Sequence, residues 1–147
     1  MTTESRTPHV LLRSEQTAAQ VSVIESAAPP GFTGPPLHHH DFDETFCVLE
    51  GELTVQLRDE VFGVRAGQLA FAPRGAPHTF TNLGADRARY LIVCTPAGFE
   101  RYFARMAAER RGVDPPDWAL QPIPKVTRVG PRIGDAEHGA GNRAWVK

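Results

Sequence analysis

The sequence has few cysteines, no long apolar run and no excess of charge of either sign. Only Cys47 and Cys94 occur in 147 residues, and both lie in apolar surroundings. Two buried free thiols are therefore expected, rather than a disulfide or a pair of metal ligands. No apolar run approaches the roughly 18 to 20 residues that cross a bilayer. Residues 1–10 are polar and lack the apolar stretch of a signal peptide. A cytoplasmic chain with no membrane partner is expected. Lys plus Arg number 16 against 17 Asp plus Glu, a formal net charge of −1. That balance argues against a dedicated nucleic-acid binder, which needs a positive field to neutralise phosphates. Uninterrupted helix-forming stretches are also scarce, because 13 glycines and 13 prolines punctuate the chain.

What remains is the composition of an ordinary globular domain, 41% hydrophobic and 22% charged. It excludes a disordered acidic chain, a coiled coil and a multi-domain assembly. Short strand signals recur at 20–25, 44–50, 52–58, 61–65, 68–72, 76–81 and 87–95. A spacing of about 8 to 12 residues predicts an all-β sandwich or barrel. One helix is predicted over 96–111, where Phe99, Phe103 and Met106 share a face and Gly112 provides a stop. The reading divides the chain into a loose polar arm (1–17), a barrel plus helix (18–111) and a Pro-rich tail (112–147). The tail is expected to lie extended on the domain surface or on a partner subunit, frayed past Gly134.

The chemistry gathers around three consecutive histidines, His38, His39 and His40, followed by Asp41, Asp43 and Glu44. On a strand, alternate side chains share a face, so His38 and His40 point one way and His39 the other. Two imidazoles on one face can share a first-row metal, and Glu44 can add a carboxylate. A further ligand must come from elsewhere. His78 is the histidine embedded in another strand signal, whereas His9 and His138 lie in the arm and the tail. The bland alternative is a solvated histidine run on the surface.

The spacing resembles the cupin superfamily. His38, His40, Glu44 and Gly51 fit H-x-H-x3-E-x6-G, the first cupin motif, although its opening glycine is displaced here. Gly67, Pro73, Gly75, His78 and Asn82 fit the second motif, G-x5-P-x-G-x2-H-x3-N, at every position. The resemblance covers about residues 18–96. It implies an antiparallel double-stranded β-helix, or jelly-roll barrel, with one C-terminal helix. It also implies one divalent first-row transition metal (Fe, Mn, Ni, Co, Cu or Zn) held by His38, His40, Glu44 and His78. By parity with Glu44 and His78, Phe46, Val48 and Phe80 are candidates for a substrate pocket, joined by Tyr90 and Ile92 of a later strand. Such an apolar lining suits an aromatic small molecule, and it equally suits a filled barrel interior. The helix is expected to pack on the barrel rather than cover its mouth. Asn82 is expected to bond backbone in the following turn.

The run from Val48 to Leu53 resembles quercetin-dioxygenase-like cupins. A metal-dependent dioxygenase acting on an aromatic or enolisable small molecule is the implied activity, with Glu44 as ligand and general base. A non-oxidative isomerase or polyketide cyclase is the alternative, as is a cupin that binds a small molecule without catalysis. Small cupins generally pair, so a homodimer is expected, with arm and tail covering strand edges.

Overall fold

The structure, a computed structural model, describes residues 8–135. The elements run β1 (His9–Leu12), α1 (Ser14–Thr17), β2 (Ser22–Ala28), β3 (His38–His40), β4 (Asp43–Glu50), β5 (Glu52–Leu57) and β6 (Glu60–Arg65). After these come β7 (Leu69–Ala72), β8 (His78–Thr81), β9 (Ala88–Thr95), α2 (Glu100–Arg111), a 3-10 helix (Asp117–Leu120) and β10 (Val126–Arg128). Two antiparallel five-stranded sheets face each other, in the orders β1-β2-β9-β4-β7 and β10-β3-β8-β5-β6. This is the all-β double-stranded β-helix that the motifs imply.

Alternation decides what lies between the sheets. Along β4, Glu44, Phe46 and Val48 point inward, and along β9, Ala88, Tyr90, Ile92 and Cys94 do so. With Ile24, Phe42, Leu53, Val55 and Val64 they form the core. Turns are matched to this core. Gly51 links β4 to β5 at φ +75°, and a Cβ there would come within 2.6 Å of the Arg87 carbonyl oxygen. At Gly34 a Cβ would overlap the Phe80 carbonyl oxygen, so the loop before β3 presses directly on β8. The Thr79 and Thr81 hydroxyls hold that loop through the carbonyls of Pro35 and Phe32. Asn82 donates to the carbonyls of Ala28 (3.0 Å) and Asp86 (2.9 Å) and accepts from Gly84 N–H (2.9 Å). Its role is to fasten the next turn, as its motif position implies.

Both chain ends depart from the sequence reading. The arm is not loose throughout: His9–Leu12 forms an edge strand on β2, with an irregular register between Val10 and Leu12. The tail does not merely lie on the surface, because Val126–Arg128 pairs with β3, setting Val126 opposite His40 and Arg128 opposite His38. Edge strands need little burial, so neither carries a strong hydrophobic alternation. On its way to β3 the tail is bound to α2. Arg105 donates to the carbonyls of Ala119 and Gln121, each at 2.6 Å, and Arg101 to that of Pro122 at 2.9 Å. The reading of a frayed end falls mostly on residues outside the described ones.

The helix starts at Glu100 rather than at residue 96 and buries Ala104, Ala107 and Ala108. Glu100 is fully buried and accepts from Ser14 N–H (2.7 Å), Ser14 Oγ (2.6 Å) and Gly98 N–H (2.6 Å). Burial alone would raise its carboxyl pKa, but these donors outweigh it and hold the group below its ordinary value. A depressed folded-state pKa adds stability at neutral pH that is lost as pH falls through the folded value. Glu100→Ala is expected to lower unfolding stability by about 2 to 4 kcal/mol at pH 7, because it orphans buried donors. In urea titrations the gap to wild type should narrow below about pH 4. A gap that does not change with pH would contradict this account.

Candidate metal centre

Both sheets contribute to one cluster. Three-residue β3 turns His38 and His40 inward and leaves His39 only partly buried on the other face. Asp41 and Phe42 carry the chain round into β4, whose inward face opens with Glu44. β8 supplies His78, the register partner of His38. Gly75 N–H donates to the His40 carbonyl at 2.8 Å, tying the second motif to the first. His40, Glu44 and His78 are at most 4% exposed and His38 is 9% exposed.

Backbone carbonyls set the tautomers. The Nδ1 atoms of His38, His40 and His78 lie 2.7, 3.0 and 2.9 Å from the carbonyl oxygens of Pro36, Phe42 and Ala76. A carbonyl only accepts, so each Nδ1 carries a proton and each Nε2 is left to bind inward. The Nε2 atoms of His40 and His78 approach Glu44 Oε1 at 2.9 and 3.0 Å. Ring stacking by Phe42 on His40, centroids 3.6 Å apart, fixes the imidazole plane.

The four ligand atoms of His38, His40, Glu44 and His78 lie within 4.8 Å of one another. Ligands about 2.0 to 2.2 Å from a first-row metal have separations in that range. The donor chemistry fits as well. Neutral imidazoles present lone pairs to a carboxylate that also has only lone pairs, so either an added proton or a cation must sit among them. Burial pushes the Glu44 carboxyl up, but bonds from His40 and His78 dominate and hold it at about 2. Burial also disfavours charge on His78, yet Glu44 draws its pKa above the ordinary value. Burial lowers that of His38, which favours a neutral ligand there.

A cavity of about 680 Å³ opens beside His38 and Glu44. Of the five pocket candidates read from the sequence, Phe46, Phe80, Tyr90 and Ile92 line it, and Val48 does not. Val48 is 2% exposed in the core, at the closed end where Gly67 N–H bonds its carbonyl at 2.9 Å. Parity alone cannot tell depth along a barrel. The helix packs on the barrel, as expected, and borders the cavity as well. Its alanine side packs on the barrel, while Phe99, Tyr102, Phe103 and Met106 line the cavity. Sequence reasoning missed the contribution of the tail, which adds Ile123, Val126, Arg128 and Arg132. Only a strand signal at 126–128 would have exposed it, and three residues are too few for one.

Comparison with known proteins places these features in context. The family described as "Cupin domain" matches residues 25–94. A crystal structure of TT1209 from Thermus thermophilus is 31% identical, covering 63% of this chain and 85% of that one, with a TM-score of 0.55. The polyketide cyclase RemF from Streptomyces resistomycificus is 28% identical over 60% of this chain and 63% of that one, with a TM-score of 0.53. The polyketide synthase CurC of Streptomyces cyaneus is 38% identical over 60 residues, 40% of this chain and 39% of that protein. The chain spans well under half the length of the curated relatives it matches.

If the four side chains form one centre, elemental analysis should find about one equivalent of divalent metal per chain. His38→Ala, His40→Ala and His78→Ala should each weaken metal binding more than about tenfold, with His39→Ala close to wild type. Comparable loss in His39→Ala would contradict the face assignment. Because neutral imidazoles bind metal and protonated ones do not, apparent affinity should fall as pH drops from about 7 to 5.

Proposed function

The chain belongs to the cupin superfamily, and from that membership and the site's geometry we propose that it is a metal-dependent dioxygenase of an aromatic or enolisable small molecule. The observation that carries this reading is the opening of a three-histidine, one-glutamate cluster into an aromatic-lined cavity of about 680 Å³. His38, His40, Glu44 and His78 would hold the metal. Bound there, a redox-capable ion supplies a path for charge to dioxygen, and zinc supplies Lewis acidity alone.

The chain's own residues supply the rest. Glu44 is ionised and sits at the cavity wall, so it can accept a proton from a substrate hydroxyl or enol. Phe46, Phe80 and Tyr90 offer ring faces and edges against which a flat substrate orients. The aromatic side of α2 and the strand β10 add apolar wall to the cavity beside the reacting atoms. The free thiols of Cys47 and Cys94 suit a reducing, cytoplasmic setting.

A second reading is a non-oxidative cyclisation or isomerisation, favoured by the likeness to a protein described as a polyketide cyclase. A homodimer also belongs to this proposal. Arm and tail cover edges of their own chain, which leaves β6, with Val61 48% exposed, and β7, with Leu69 61% and Phe71 49% exposed, as edges open to a partner. Sedimentation at micromolar concentration should give twice the chain mass, and a monomer would exclude the pairing.

The activity is tested by loading the protein with Fe(II), Ni(II) or Zn(II) and following dioxygen across flavonols, diketones and phenols. The iron or nickel form should consume dioxygen and the zinc form should not. Glu44→Gln at saturating metal should lower turnover by about 10²- to 10⁴-fold. Equal turnover by the zinc form without oxygen would replace oxygenation with cyclisation. Binding without conversion in every metal form would leave a binding module.

A further inference from the structure

The cavity carries a charge pattern that the metal cluster does not explain. Arg110, Arg128 and Arg132 line it, and among the described residues the only acidic side chain on its wall is Glu44. Glu44 is already engaged with His40 and His78. In a chain of net charge −1, Arg128 and Arg132 bring positive charge to one side of this cavity.

Strand register makes the arrangement specific. Arg128 is the antiparallel partner of His38 and Val126 that of His40. Partners across an antiparallel pair project from the same face with Cβ atoms roughly 4.5 to 5.5 Å apart. Arg128 therefore stands beside a metal-ligating histidine, on the face that holds the cluster. The other two arginines come from α2 and from further along the tail. Arg110 lies in the last turn of α2, and Arg132 follows β10, with its Nε donating to the Gly34 carbonyl at 3.0 Å. That bond directs the guanidinium while leaving its terminal amino groups outside the contact. The bland reading, arginines kept at the surface for solubility, explains neither the convergence from two segments nor the acid-poor wall.

We propose that the cavity selects an aromatic carboxylate, its ring system held by the aromatic wall and its carboxylate by Arg128, with Arg132 completing a cationic mouth. A planar guanidinium matches a carboxylate in two parallel hydrogen bonds, which gives orientation as well as attraction. The inference deepens the reading of this cavity as a substrate site. Its test measures equilibrium binding, so absence of turnover does not decide it.

The test is calorimetric titration of the zinc-loaded, full-length protein with 2-naphthoate and with its neutral analogue, 2-naphthamide. Wild type should bind the acid at least about tenfold more tightly, the preference expected of one charge-assisted contact. Because zinc itself attracts an anion, the variants carry the decision. Arg128→Gln should cut the preference to below about threefold and leave affinity for the amide within about twofold. Arg128→Lys should restore part of the preference and Arg132→Gln should lower it. Arg111→Gln, a neighbour outside the cavity wall, should change nothing. The proposal is overturned if wild type does not distinguish acid from amide, if Arg128→Gln and Arg132→Gln both retain the preference, or if Arg111→Gln lowers it equally. Failure of the wild-type protein to bind either compound at millimolar concentration would also overturn it.

Discussion

A buried carboxylate facing two imidazoles is the constraint on which the rest of the structure depends. Glu44 is 4% exposed, and an uncompensated charge at such depth costs several kcal/mol. Compensation comes from both sheets. Glu44 lies on β4 in one, while His38, His40 and His78 lie on β3 and β8 in the other. The barrel must therefore close correctly before the carboxylate is satisfied, which makes the site a consequence of tertiary packing. Backbone carbonyls two residues from each histidine then choose the tautomer and aim every Nε2 at the centre.

Around that centre the protein separates two tasks. Motif residues of the barrel position the His38, His40, Glu44 and His78 cluster, whereas α2 and the tail shape the space in front of it. The helix uses small alanines to approach the sheet and large rings to line the cavity. The tail pairs with β3 and so places its arginines by backbone register rather than by loop packing. A change in tail or helix can alter what the cavity accepts without disturbing the ligands, which sit on other strands.

Much of this was legible in the sequence because it depends on short-range rules. Strand parity put His38 and His40 on one face and His39 on the other, and the structure has that arrangement. Motif spacing located Glu44 and His78, and Gly51, Gly67 and Gly75 take the positive φ that tight reversals need. In β9 parity groups Tyr90 with Ile92 but does not mark their face as the inward one, because Leu91 and Val93 on the other face are apolar too. The errors share a cause. β1 and β10 owe their places to pairing with residues distant in sequence, so their own side chains show little periodicity. Val48 was misplaced for a related reason: alternation tells which face a residue occupies but not how deep it sits.

The central claim is that one ion is held by three imidazoles and one carboxylate at this crossing of the two sheets. X-ray absorption of the metal-loaded protein tests it most directly, since multiple scattering from imidazole rings counts histidine ligands. The account predicts three imidazole nitrogens and a carboxylate oxygen at about 2.0 to 2.2 Å, falling to two imidazoles in His78→Ala. A spectrum with fewer than three imidazoles in wild type, or one unchanged by His78→Ala, would contradict it.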